Sequence, residues 1–377
     1  MNSYEINTEG CSKDYINTLK YHLSYLGELI LKVEEKDQSI IVKYDASFEN
    51  NAVSAINNVI QDLDSRLKNI KAETIFENIE ENTIHSNIIE ELIALGDICI
   101  YDEGLVGFGG KFLNLYRDLD SMFLDWAMDL GAKEFQYPDL ISLDTLAQYN
   151  YLSQFPQHLI FAPHLKEDRE IISNFSKEIR NSKKPISADF IDIDRLNYAN
   201  KLAVCPHVYK QYEGKVLTTQ PIIITSVGKC KRYESINVNR FERLLDFTMR
   251  EIVVIGVPEF ILEIREILIE KTKEFLKQMK LSANIKSATD PFFTTEYSAS
   301  MLLQQKFKLK YELNLYLPDS NELSVGSFNY HGSHFIDAFG IKSESNVDLA
   351  TGCIAFGLER FAYAIMTQKG LLEDYGI

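Results

Sequence analysis

No run in this chain is apolar over membrane-spanning length, and its first residues do not set a basic stretch before an apolar one. Neither a spanning helix nor a secretory leader is therefore expected. Cysteine is scarce and odd in number, five in 377 residues at scattered spacings. That excludes a disulfide framework and makes a reducing, cytoplasmic setting the expectation. Positive charge is short as well: 39 Lys and Arg stand against 55 Asp and Glu, a formal net charge of −16. A broad nucleic-acid surface needs clustered Lys and Arg, so extended nucleic acid is disfavoured, although a small basic patch is not. Internal repeats and low-complexity tracts are missing. What remains, 45% hydrophobic and 25% charged, is an ordinary globular composition, long enough for one large domain with a smaller one beside it.

Residues 1–103 are expected to form the smaller domain, of α+β type. They offer an apolar stretch (Tyr21 to Val33), a β-like run (Ile40 to Tyr44) and an amphipathic helix (Ala52 to Ile70), with no sustained heptads. The acidic segment Glu77 to Glu91 reads as a solvated linker or exposed helix, and Gly104, Gly107, Gly109 and Gly110 punctuate the boundary to residues 104–377. Beyond it, Phe112, Tyr116, Leu119, Phe123, Trp126 and Leu130 recur at helical spacing, with Gly131 as the stop. An extended segment reaches Pro138, and Asp168 to Ala199 reads as helices broken at Lys183-Lys184-Pro185. Two β-rich runs, Pro221 to Tyr233 and Phe247 to Val257, predict a long antiparallel hairpin. Pro258 opens a helix carrying Ile261, Ile264, Leu268 and Phe275. Strands are expected over Leu309 to Leu317 and Leu323 to Phe328, followed by a strand that ends at Gly357 and passes directly into a helix.

Three groups of residues carry chemistry. Arg360 falls in the first turn of the closing helix, where free backbone N–H groups and the helix dipole favour an anion, and a guanidinium fixed there can grip a phosphate with parallel hydrogen bonds. In the hairpin, Arg232 and Glu234 are two apart and project from one face, suited to an α-phosphate and an amino group respectively. A solvated ion pair is the plainer reading. Arg243, Phe247 and Glu251 share parity on the return side, where an aromatic either stacks on a base or fills the core. Second, if the hairpin and the final strand are sheet neighbours, Cys205, Glu251 and Cys353 could converge, and two thiolates with a carboxylate would hold zinc with one position left open. His207 is either a fourth ligand or a turn residue, and Cys11, Cys99 and Cys230 read as structural. Third, Glu322, Ser324, Ser327, Asn329, His331 and His334 lie along one strand and turn, as a hydrogen-bonding wall for a small polar substrate. Glu322 either holds Mg²⁺ on a nucleotide or ends a strand in water.

These segments resemble the catalytic domain of class II aminoacyl-tRNA synthetases: the helix through Gly131 to Pro138 is similar to the first motif, Lys231-Arg232-Tyr233-Glu234 with Arg243 and Phe247 to the second, and Gly357-Leu-Glu-Arg360 to the third. Phe155-Pro156, Cys205-Pro206, Ser327-Phe-Asn-Tyr-His331 and Thr351-Gly-Cys353 look most like the amino acid:carrier protein ligases, truncated relatives of the atypical zinc-containing seryl-tRNA synthetases. The resemblance covers roughly residues 104–370. It implies an α+β fold with an antiparallel sheet flanked by helices, and a homodimer. It implies zinc on Cys205, Glu251 and Cys353, receiving the substrate's amino group. Arg232 would then bind the α-phosphate and the substrate carboxylate, Arg243 the phosphates, and Arg360 the γ-phosphate. Glu234 would contact adenine, Phe247 would stack on it, Glu322 would take Mg²⁺, and Ser327 and Asn329 would line the amino acid pocket.

The activity so implied is ATP-dependent formation of an aminoacyl adenylate from a small amino acid, glycine or alanine being usual, followed by transfer to the phosphopantetheine thiol of a carrier protein. On this expectation tRNA is a disfavoured partner, and Lys183-Lys184 after Arg180 is the expected dock for an acidic carrier. The rivals are a tRNA-charging or tRNA-modifying enzyme on the same fold and a non-catalytic regulatory paralogue.

Overall fold

Ile222–Lys231 and Asp246–Gly256 form the predicted antiparallel hairpin, in register from Ile222 opposite Ile255 to Lys231 opposite Asp246. This computed structural model describes residues 1–67, 72–81, 84–181, 186–218, 220–238, 241–290, 304, 306–318 and 321–377. The hairpin belongs to an eight-stranded sheet. Its spatial order is Thr74–Asn78, Ala283–Ser287, Lys310–Tyr316, Glu322–Gly332, Ala350–Gly357, Asp246–Gly256, Ile222–Lys231 and Lys133–Glu134. The pairing is antiparallel except for the short parallel contact of Lys133–Glu134 with Ile224 and Thr225.

Alternation divides the sheet into two faces. Ile252, Val254, Leu313, Leu315, Phe328, Ile354 and Phe356 point to one side and join the main core with residues from the helices Gly110–Asp129, Pro258–Gln278 and Leu358–Lys369. Phe123 stacks on Phe356 with ring centroids 3.8 Å apart, and each such buried ring contributes roughly 1.5–3 kcal/mol. The first helix ends where expected, at Gly131, whose φ of +78 suits glycine. Pro258 occupies the opening turn of the second, where its missing N–H costs nothing. Arg250, fully buried, clamps helix to sheet: it donates from Nε and Nη2 to Asp120 at 2.7 and 3.0 Å and from Nη1 to Glu134 at 2.9 Å.

The opposite face carries Phe247, Met249, Glu251 and Val253 beside Cys353 and Ala355 of the next strand. One irregularity matters there. Between Leu313 and Asn314 the pairing with Glu322–Gly332 shifts by a residue, so the helix-facing series runs Leu323, Val325, then Phe328. The bulge thereby brings Ser324, Ser327 and Asn329 onto the same open face, an effect no alternation rule predicts. Close strand approach also depends on Gly352, where an added Cβ would lie 2.5 Å from Ile261 Cγ2 and 2.8 Å from the Asn329 carbonyl oxygen. Gly352→Ala is expected to lower unfolding free energy by about 1–3 kcal/mol, read from denaturant titration.

The N-terminal unit is a three-stranded sheet in which Ser39–Tyr44 lies between Asn2–Asn7 and Ile30–Lys36. Helices Lys13–Leu23 and Glu49–Leu67 cover it around Leu19, Leu23, Ile40, Val42 and Ile56. The helix expected to reach Ile70 is described only to Leu67; residues 68–70 lie outside the described residues. Two sequence expectations are corrected. Glu77 to Glu91 is neither a solvated linker nor a wholly exposed helix, because Thr74–Asn78 pairs with Ala283–Ser287 and the helix Ile88–Leu95 sends Ile88, Ile89 and Leu92 into the main core. Asp168 to Ala199 holds the helix Arg169–Asn181, a turn at Ala188–Phe190 and the start of the strand Tyr198–Asn200; the Lys183-Lys184 dock lies outside the described residues. Among the described residues no helix is long and apolar enough to cross a membrane.

Candidate active site and metal centre

Glu251 projects from the middle of the return strand into a buried cage. Its Oε1 accepts from the Val204 backbone N–H at 2.8 Å and its Oε2 from that of Cys205 at 2.9 Å. Cys353, on the neighbouring strand, completes the set: ligand atoms of Cys205, Glu251 and Cys353 all lie within 4.8 Å of one another, and all three residues are buried. Burial pushes the Glu251 carboxyl up to about 7. The Cys205 thiol is pushed up by its hydrogen bond to Cys353 and by burial, while the same bond holds Cys353 low. Three acidic groups cannot all ionise in so dry a place without a cation. Two sulfurs and a carboxylate are the donor set zinc takes, and Glu251 keeps lone pairs beyond those given to the two N–H groups. The residues fit the metal.

Around the sulfurs stand polar groups from the bulged strand. Asn329 Nδ2 donates to Ser327 Oγ at 3.0 Å and lies 3.5 Å from Cys353 Sγ. His331 Nε2 is 3.9 Å from the same sulfur, and its Nδ1 is 3.3 Å from Tyr209 Oη. His207 is not a fourth ligand: its Nε2 faces the Leu140 carbonyl at 3.2 Å. On the helix Cys205–Gln211 a residue two positions on points about 200° away, whereas Tyr209, four on, shares the Cys205 side. That spacing was the signal for Tyr209, which sequence reasoning missed. Lys310 and Glu312 were missed likewise. They alternate with core residues and sit opposite Asn329 and Ser327, on the open face. Of the cysteines expected to be structural, Cys230 is buried, Cys11 half-buried and Cys99 exposed.

The loop bearing Cys205 links the metal cage to the arginines. Arg232 lies one residue beyond the strand and donates through Nε and Nη2 to the Leu202 carbonyl at 3.0 and 2.9 Å. Residues 202–205 are thus held between the Arg232 guanidinium and the Glu251 carboxylate. Arg232 also sits 5.3 Å over the Phe247 ring, covering one of its faces. Arg243 falls before the return strand, not on it, and pairs with Glu234 at 2.9 Å. Arg360, in the first turn after Gly357, donates to the Ser324 carbonyl at 3.2 Å. Burial first, then Arg243 and Arg232 nearby, bring its guanidinium down to about 10. Arg360 thus sits close enough to Arg232 and Arg243 for their charges to oppose its own, a grouping of guanidiniums that a polyanion would relieve. Glu322 accepts from Lys286 at 2.5 Å and from Asn284 at 2.9 Å, so Lys286 must release it before it can serve Mg²⁺.

His158 lies beside this cradle, 2.7 Å from Tyr21 Oη. Burial, then Arg232, push its imidazole from 6.5 down to about 4. A depressed histidine favours the neutral form in the folded protein, so its stabilisation is complete above about pH 6.5 and is lost as pH falls through about 4. The stability gap between wild type and His158→Gln is expected to narrow over that window in pH-resolved melting.

This arrangement, an antiparallel sheet flanked by helices with hairpin, strand and closing helix in that order, is the class II aminoacyl-tRNA synthetase catalytic fold. The chain superimposes on the M. kandleri SerRS of the A. aeolicus tRNASec complex with a TM-score of 0.72, covering 98% of this chain and 75% of that one at 22% identity. For the cytoplasmic serine–tRNA ligase of Naegleria fowleri in complex with AMP the TM-score is 0.61, covering 85% and 68% at 10% identity. In sequence it is 28% identical over 259 residues to the type-2 serine–tRNA ligase of Methanopyrus kandleri, 64% of this chain and 49% of that one. It is 27% identical over 270 residues to that of Methanothermobacter thermautotrophicus, 70% and 53%. The chain thus spans about half the length of the curated relatives it matches. No protein-family model matches it. These relatives are ligases of tRNA, not of carrier proteins, which goes against the expectation that tRNA is a disfavoured partner.

Proposed function

We propose that this chain is an ATP-dependent ligase that activates a small amino acid as its adenylate. The observation that carries the reading is the short tether between two sites: residues 202–205 run from the Arg232 guanidinium to the Glu251 carboxylate of the metal cage. An amino acid between them would have its amino group toward the cage and its carboxylate toward Arg232. A carboxylate oxygen attacks the α-phosphorus, and the bond to the leaving pyrophosphate breaks. Arg232, Arg243 and Arg360 hold the phosphates in line and stabilise the charge that develops. Glu234 and Phe247 receive the adenine, and Glu322 takes Mg²⁺ once Lys286 lets go. Zinc held by Cys205, Glu251 and Cys353 would supply a Lewis-acid position for the amino group. Ser327 and Asn329 beside it would line the pocket for a small amino acid. The helix Gly110–Asp129 and edge strand Lys133–Glu134 would form the dimer contact.

The names of the relatives support a tRNA 3′ end as acceptor. The second reading, a carrier-protein thiol, is supported by the segments Phe155-Pro156 and Ser327-Phe-Asn-Tyr-His331. Amino-acid-dependent exchange of labelled pyrophosphate into ATP tests the shared first step; no exchange with any small amino acid sinks it. Mass analysis after adding total tRNA in one arm and a phosphopantetheinylated carrier in the other identifies the acceptor.

A further inference from the structure

The N-terminal unit touches the nucleotide loop at three successive points. Tyr25 Oη donates to the Tyr233 carbonyl at 2.9 Å, Ser235 Oγ donates to the Ser24 carbonyl at 2.8 Å, and Asn237 Nδ2 donates to Ser24 Oγ at 2.5 Å. Tyr233, Ser235 and Asn237 alternate along the loop that carries Glu234. Ser235 holds a φ of +52, a left-handed conformation that costs a serine energy and persists only where neighbours enforce it. Its hydroxyl is one of the groups enforcing it. Beneath, Tyr21 is buried and anchored to His158, and the Arg243 guanidinium lies 5.9 Å over its ring while pairing with Glu234.

We infer that residues 21–25 act as a clasp that sets the geometry of Glu234 and Arg243, so that the N-terminal unit determines the affinity for the nucleoside triphosphate. Tyr21, Ser24 and Tyr25 are positioning residues: they hold the loop, and the loop holds the ligand. The inference rests on the nucleotide reading proposed above. It assigns to residues 1–67 a role within the same chain's active site, which the sequence left without one.

The test uses the full chain and ATP as the probe. Tyr25→Phe deletes the bond to the Tyr233 carbonyl together with the hydroxyl contact to Tyr21, and Ser235→Ala deletes the bond to the Ser24 carbonyl. Each is expected to raise the calorimetric ATP Kd about 3- to 10-fold. The melting temperature and the KM for the amino acid should stay unchanged. The double variant should fall short of the product of the two. Tyr4→Phe removes a comparable bond, to Asn57 Oδ1 at 2.9 Å, inside the N-terminal unit and away from the loop; its ATP Kd should match wild type. Amide exchange at residues 233–238 should quicken in both clasp variants even without ATP. Unaltered ATP Kd in both variants overturns the clasp while leaving the nucleotide reading intact. Failure of the wild type itself to bind ATP overturns the nucleotide reading, and the inference with it.

Discussion

Replacing Arg360 by alanine is expected to cut amino-acid-dependent pyrophosphate exchange by about 100- to 1,000-fold, the usual loss when one preorganised charge partner of a transition state is removed. The side chain is half-buried in the first turn of the closing helix, and the Ser324 carbonyl is its hydrogen-bond acceptor. Burial and the two neighbouring guanidiniums already oppose its charge. The free protein gains little from keeping it there. Arg360→Ala should therefore leave the melting temperature unchanged or raise it, while activity collapses. Equal losses of stability and activity would show a structural arginine instead.

Cys353→Ser and Glu251→Gln are expected to release the metal. Zinc per chain should fall from about one to near zero, because a three-residue site loses affinity steeply with any ligand. Exchange should then drop by at least about 100-fold, since several kcal/mol of charge stabilisation leave with the ion. Glu251→Gln is the sharper case. Its amide keeps an oxygen to accept from Val204 or Cys205, so the loop has a partner while the negative charge is gone. Full zinc in both variants would remove Cys353 and Glu251 from the site.

The hairpin, the long helices and Arg360 were legible because alternation, helical spacing and turn residues are local signals. The meeting of Cys205, Glu251 and Cys353 was not. Cys353, more than a hundred positions from the other two, meets them only if Ala350–Gly357 pairs with Asp246–Gly256, and the resemblance, not the spacing, pointed to that pairing. The strand Thr74–Asn78 was not foreseen, and Glu77 to Glu91 read as a linker or exposed helix, because acidic neighbours make a short edge strand look solvated; its partner strand decides the matter. The bulge at Leu313 and Asn314 leaves no mark in composition, yet it alone puts Ser327 and Asn329 on the open face. For His207 the sequence left ligand and turn residue open, because nearness to Cys205 in the chain does not give direction on a helix; its Nε2 faces the Leu140 carbonyl.

The account turns on a metal cage and a phosphate cradle working as one site. Its most direct test is pyrophosphate exchange on the full chain, stripped of metal and then titrated with zinc in the presence of ATP, Mg²⁺ and a small amino acid. The expected result is exchange that vanishes on stripping and returns in full at about one zinc per chain. Exchange indifferent to zinc, or absent at every zinc level, would contradict it.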